Sequence, residues 1–246
     1  PMLYYRELLT TDRDAYGIYV QSPFPKENRR ILIGSDVSSR YTRRNRAEYR
    51  KIAGYIARCV WQRQGNYMVF FPSYRLMEDV LQVYEEEFSV DWVRCVCQTP
   101  DMTEQEREGF LEEFQEREGT LVGFCVLGGI FSEGVDLTGE SLIGAVIVGT
   151  GLPQIGSQRE ILKEYYDKKN HCGFDYAYRY PGMNKVLQAA GRVIRTKEDK
   201  GVILLLDDRF WDRDYQEIFP REWQDRTGCR LDTVEGAVET FWKRFT

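Results

Sequence analysis

A chain of 246 residues is long enough for one large domain or two small ones, and can bury a substantial core without a disulfide or metal staple. Hydrophobic residues make up 42% and charged residues 30%, an ordinary globular composition that excludes collagen-like, low-complexity and disordered classes. The net charge of −5 argues against a protein that coats nucleic acid wholesale.

In chain order, Tyr67–Phe71 (YMVFF) reads as a buried strand ended by Pro72. Ser73 then caps a helix to about Glu87, with Leu76, Val80, Leu81 and Tyr84 on its inner face. Trp92–Cys97 alternates like a strand, with Cys95 and Cys97 on one side as small buried hydrophobes. Thr103 and Glu106 match a capping box, and Phe110, Leu111 and Phe114 form the apolar stripe of the helix behind it. Leu121–Leu127 and Leu142–Val148 are further apolar strands, Asn184–Arg195 a helix, and Val202–Leu206 another buried strand. Near-continuous apolar strands between amphipathic helices predict an α/β fold, a mostly parallel sheet with helices on both faces. Such sheets gather ligands at the carboxyl ends of their strands. No repeat or Gly/Ser linker divides the chain, so residues 1–246 are expected to form one domain. The first residue is proline, which suggests a piece of a longer chain.

The apolar runs are far too short to cross a bilayer, and Pro1–Val20 lacks the basic start and apolar core of a signal peptide. Six cysteines without zinc-site spacing point to a reducing, cytoplasmic compartment and to no metal site. Charge is polarised along the chain. Lys26–Arg63 holds eleven basic against three acidic residues, and Glu78–Glu118 three against fourteen. That pattern fits either a surface that steers an anion onto one face or two solvated helix faces of opposite sign.

The most informative segment is QAAGRVIR, Gln188–Arg195. On a helix Gln188, Arg192 and Arg195 stand at i, i+4 and i+7, within about 60° of one another, while Val186, Leu187, Ala190, Val193 and Ile194 face the core. Two neighbouring guanidinium groups repel unless an anion joins them, and their fixed, paired donors suit phosphate oxygens. Gly191 would allow a ligand or another backbone to approach closely. The alternative is an exposed face balanced by acids such as Glu198 and Asp199.

QAAGRVIR resembles motif VI of superfamily 2 helicases of the XPD/DinG type. FSEGVDL (Phe131–Leu137), followed by a strand and Gly151-Leu152-Pro153, resembles motif V. VFFPSYRLM (Val69–Met77) resembles motif IV, and SPFP (Ser22–Pro25) the segment entering this domain in the same family. The blocks keep the family's order from about Ser22 to Phe210. The resemblance implies the second, C-terminal RecA-like domain of an ATP-dependent DNA helicase, with DNA repair as its setting. In that family ATP and Mg²⁺ lie in the cleft between two RecA-like domains, held mainly by the first. It further implies that Arg192 and Arg195 are arginine fingers on the γ-phosphate and that Gln188 positions the nucleotide or the attacking water. Glu133, Gly134 and Asp136 would sit near the nucleotide with Gly191, and Ser73, Tyr74 and Ser132 would contact single-stranded DNA. The implied partners are the N-terminal RecA-like domain of the same chain, single-stranded DNA and ATP, with no membrane.

No Gly-Lys-Ser or Gly-Lys-Thr occurs, so the chain lacks its own P-loop and is expected not to hydrolyse ATP alone. Ile203–Asp208 (ILLLDD) mimics an apolar strand ending in a metal-binding acid, but Asp207-Asp208-Arg209-Phe210 follows motif VI, where the family has a strand ending in D-x-R-[FY]. Asp207 and Asp208 are therefore expected to make structural hydrogen bonds. The iron–sulfur module of some relatives belongs to the first domain, and its four-cysteine spacing is absent here. Between motifs V and VI, Tyr165, Tyr166, Phe174, Tyr176, Tyr178 and Tyr180 surround Lys163, Lys168, Lys169, His171 and Arg179. They fit either a single-strand path of stacking rings and cations or a helical cover packed on the sheet. His171 reads as surface or structural. Two other functions compete with a helicase motor domain: a DNA-binding or interaction module with relic motifs, and a small-molecule enzyme on a doubly wound sheet, which has only fold-level analogy behind it.

Overall fold

The computed structural model describes residues 2–12, 14–115, 119–131 and 142–245. Among them the strands β1 (Arg29–Gly34), β2 (Asn66–Phe71), β3 (Val93–Cys97), β4 (Thr120–Val126), β5 (Gly144–Val148), β6 (Gly201–Leu206) and β7 (Thr227–Cys229) form one sheet in the order β3-β4-β2-β5-β6-β1-β7. Every pairing is parallel. The helices between strands are α2 (Arg46–Val60), α3 (Tyr74–Glu87), α4 (Glu104–Glu113), α5 (Ser157–Asn170), α6 (Tyr180–Ala190) and the short α7 (Arg213–Gln216), with α1 (Met2–Leu9) before the first strand and α8 (Val234–Trp242) after the last.

A strand's side chains alternate between faces, so a strand buried on both sides must be apolar throughout. β6 shows this directly: Val202, Leu204 and Leu206 pack with α2, α3 and α8, while Ile203 and Leu205 pack with α4 and α6. β2 divides the same way, Tyr67, Val69 and Phe71 against Met68 and Phe70. Ser73 caps α3 by accepting from the Leu76 N–H at 3.4 Å, and Thr103 and Glu106 form the reciprocal capping box on α4. Leu76, Val80 and Tyr84 are buried on α3, with Leu81 half-buried beside them. The opposed charge runs partly neutralise each other, because α2 and α3 lie side by side. Arg46 pairs with Glu86 and Glu87 at 2.7 and 3.1 Å, and Arg50 with Glu87 at 2.5 Å. No described helix is long and apolar enough to cross a membrane.

At the carboxyl end of β6 the two acids take up structural roles. Asp207 is fully buried and accepts from the Ser39 N–H (2.9 Å) and hydroxyl (2.6 Å) and from the Arg209 N–H, Nε and Nη2 (3.0, 2.7 and 2.9 Å). Asp208 accepts from the Ser38 hydroxyl at 2.9 Å and pairs with Arg40 and Arg43. The D-D-R-F block thus fastens the loop after β1 to the end of β6.

Burial alone would raise the Asp207 carboxyl, but the Arg209 and Ser39 hydrogen bonds and the Arg209 charge outweigh it and hold the pKa below the ordinary aspartate range. A depressed folded-state pKa adds stability that is complete above the unfolded value of about 3.9 and is lost as pH falls through the folded value. Denaturant midpoints are therefore expected to drop below about pH 4 more steeply in the wild type than in Asp207→Asn, which has no carboxylate to protonate there. Parallel acid profiles for the two proteins would contradict this.

Candidate functional site

Motif IV occupies the carboxyl end of β2. The strand stops at Phe71, Pro72 cannot donate to a ladder, and Ser73 turns the chain into α3. Ser73 and Tyr74 thus stand at the helix amino terminus, where exposed N–H groups and the helix dipole favour an anion. The Ser73 hydroxyl caps the first turn, and the Tyr74 hydroxyl accepts from Gln98 Nε2 at 2.9 Å. Burial is the first cause that raises the Tyr74 phenol above its usual range, with the Gln98 bond acting against it.

β4 ends beside β2, and the chain then enters the motif V block. Ser132, Glu133, Gly134 and Asp136 lie outside the described residues. Phe131, on their amino-terminal side, is buried and stacked on Phe110 with ring centroids 4.2 Å apart. Gly128 abuts α6, since a Cβ there would lie 2.8 Å from Lys185 Nζ. Phe131 belongs to the same core cluster as Val186, Ala189, Val193 and Ile194, so motif VI and the near end of motif V share one face of the sheet.

Motif VI departs from its expected shape. α6 begins at Tyr180, four residues before the expected start, and ends at Ala190 instead of running to Arg195. Arg192 and Val193 donate three residues back, to the Ala189 and Ala190 carbonyls at 3.3 Å, so the helix tightens into a turn after Gly191. Asp199 supplies the competing acceptor. It takes the N–H groups of Arg195 and Thr196 at 2.7 Å each and the Thr196 hydroxyl at 2.9 Å. Asp199 is therefore committed to this turn through the Arg195 and Thr196 N–H groups and the Thr196 hydroxyl, and not to balancing an arginine face.

Gln188, Arg192 and Arg195 accordingly do not form one exposed helical face. Gln188 is exposed, Arg195 half-buried and Arg192 only 5% exposed. The apolar pair Val193 and Ile194 draws this turn into the core, and Arg192 goes with it. The turn also leads into the amino end of β6, with Val193 against Gly201, and not to the carboxyl edge where the motifs were expected together. The chain must return there to start a parallel strand. The Arg192 side chain nonetheless lies near enough to Cys125, late in β4, for its charge to oppose the burial and the Cys97 contribution that push that thiol up.

SPFP joins the same neighbourhood. Ser22 and Phe24 line a cavity of about 280 Å³ together with Gly191, Ile194 and Trp223. Gly151 of the G-x-P segment has φ +68° and faces Gly182 of α6, where a Cβ would fall 2.5 Å from the Gly182 carbonyl oxygen. Backbone meets backbone there, which only glycine allows on both sides. The aromatic segment divides between its two readings. Tyr166, Tyr176 and Tyr178 are buried, with Tyr166 stacked on Tyr176 at 4.0 Å and Tyr4 of α1 packed in the same cluster, whereas Tyr165 and Phe174 remain exposed. His171 is exposed in a left-handed conformation at the end of α5, a structural position. Among the described residues no cluster of histidine, cysteine and acidic side chains could hold a metal.

The all-parallel sheet, its strand order and the helices on both faces define the class: a RecA-like domain. The chain belongs to the helicase C-terminal domain family, whose profile matches residues 56–226, and is of the XPD type within superfamily 2. It is 30% identical over 189 residues to the ATP-dependent DNA helicase XPD of Sulfolobus acidocaldarius, covering 72% of this chain and 31% of that one. A probable ATP-dependent helicase of Methanocaldococcus jannaschii is 29% identical over 206 residues, 79% of this chain and 31% of its own length. The chain therefore spans about a third of these curated relatives. A solved XPD helicase structure shares the fold with a TM-score of 0.64 at 24% identity, over 82% of this chain and 35% of that one.

Proposed function

We propose that this chain is the second motor domain of an ATP-dependent DNA helicase and supplies motifs IV, V and VI to a site completed by an N-terminal RecA-like domain of the same protein. The observation that carries this reading is the convergence of the blocks: motif VI and the approach to motif V share one core face, while motif IV and the end of β4 adjoin at the sheet edge. Arg192 and Arg195 act on the γ-phosphate, and Gln188 orients the nucleotide or water. Glu133, Gly134, Asp136 and Gly191 border the nucleotide. Ser73, Tyr74 and Ser132 meet phosphates of single-stranded DNA. The first domain contributes the P-loop and Mg²⁺ that this chain lacks, so this chain by itself does not turn over ATP. DNA repair in the cytoplasm is the proposed setting.

In the longer protein, single-stranded DNA should stimulate ATP hydrolysis. Binding of single-stranded DNA to this chain alone should be weak and fall with salt, the log–log slope being about −0.7 per phosphate neutralised. A salt-independent affinity, or ATP turnover indifferent to DNA, would reject the reading. One observation favours a second one, a DNA-binding or interaction module with relic motifs: the burial of Arg192. ATP turnover in the longer protein separates the two.

A further inference from the structure

We propose that Gln98 is a positioning residue that locks the DNA-contacting start of α3 to the end of β4. Gln98 follows β3, is 2% exposed, and prolongs the β3–β4 ladder by donating its backbone N–H to the Phe124 carbonyl at 2.8 Å. Its side chain bridges what the strand no longer reaches. Oε1 accepts from the Val126 N–H at 2.9 Å, and Nε2 donates to the Tyr74 hydroxyl at 2.9 Å. The polarity of this bridge is forced. A backbone N–H can only donate, so the amide oxygen must face Val126, which leaves the NH₂ group for Tyr74. The Tyr74 hydroxyl, accepting from the amide, directs its own proton toward the Thr99 carbonyl at 3.5 Å. Gly129 closes the cradle, since a Cβ there would lie 3.0 Å from Gln98 Nε2. One buried amide thus ties the first residue of α3, the last residue of β4 and the turn beyond it into a unit.

Without that amide, the Val126 N–H and the Tyr74 hydroxyl each lose a buried partner, and the two segments can move independently. Because Gln98 acts through Tyr74 and Val126, its effect should fall on the DNA dependence of the motor and not on the chemical step. This inference rests on the proposed function. The experiment is ATP turnover against single-stranded DNA concentration in the longer protein, for the wild type, Gln98→Met, Gln98→Glu and Tyr74→Phe. Gln98→Met keeps the length of the side chain and removes both hydrogen bonds. It should raise the half-saturating DNA concentration about tenfold, the effect of losing one or two buried hydrogen bonds, with maximal turnover within about twofold of the wild type. Tyr74→Phe should raise it in the same direction, and any excess of the double variant over Gln98→Met alone measures what the Tyr74 hydroxyl contributes to DNA directly. Gln98→Glu can still accept from Val126 but brings a carboxyl into a 2% exposed site, so it should recover only part of the loss.

Gln98→Met and Tyr74→Phe with the wild-type half-saturating concentration would overturn the inference, as would an equal fall in maximal turnover and DNA response. Should Gln98→Met fail to fold, Gln98→Asn, whose amide is one methylene too short to reach both Val126 and Tyr74, takes its place with the same expected outcomes. A wild type that shows no response to DNA defeats the proposed function and this inference together, whereas a responsive wild type with indifferent variants defeats the inference only.

Discussion

Arg192→Ala in the longer protein is expected to abolish DNA-stimulated ATP turnover. A guanidinium that meets charge developing on the γ-phosphate is worth about 10³–10⁵ in rate, and no other side-chain type offers the same fixed pair of donors. The burial of Arg192 makes the variant two experiments in one, since truncation also removes a side chain held inside the fold. Arg192→Lys separates them. Lysine retains the charge and much of the stem but not the fork, so turnover should fall steeply while the thermal midpoint, followed by circular dichroism, stays near that of the wild type. Normal turnover in Arg192→Ala would defeat the finger assignment. An active Arg192→Lys beside a destabilised, inactive Arg192→Ala would make the residue structural and favour the relic-module reading.

Asp207→Ala is expected to cost about 3–5 kcal/mol, the range for removing one partner of a buried ion pair. The loss does not stop at the Arg209 contact. Arg209 keeps a side chain only 19% exposed with its charge uncompensated, and the Ser39 N–H and hydroxyl lose their acceptor. For a domain of this size the midpoint should fall by roughly 6–20 °C. Asp207→Asn, which can still accept from Ser39 and Arg209, should lose less. An Asp207→Ala protein as stable as the wild type would mean that the loop after β1 is held by other contacts.

Both predictions turn on short stretches whose residue types were legible and whose surroundings were not. The central strands β2, β4, β5 and β6 announce themselves, because apolar residues on both faces have one stable home, the middle of a parallel sheet. The caps at Ser73 and Thr103 were equally plain, since capping is a bond between residues three apart. β1 and α2 lie in the basic Lys26–Arg63 run, whose charges mask the short apolar stretch of RRILIG. β7, three residues long and containing glycine, offers almost no periodicity to detect. The apolar pair Val193 and Ile194 continues the helical spacing beyond Ala190, where α6 ends, so the pattern alone extends the helix too far. The helix instead tightens after Gly191 into i→i−3 bonds, and Asp199 takes the next donors, the N–H groups of Arg195 and Thr196. Gln98 offered one faint signal, a polar residue closing an alternating strand, and nothing in its neighbourhood along the chain named Tyr74 or Val126 as partners.

Local order and periodicity therefore determined the α/β class and the parallel sheet, since each depends on residues a few positions apart, while the reading of the blocks came from their resemblance to a helicase family. The tertiary structure alone decided which of those blocks touch, how deeply Arg192 sits, and that Asp207 and Gln98 serve as fasteners. Burial and hydrogen-bond partnership join residues that lie dozens of positions apart, and no spacing rule reaches across that distance.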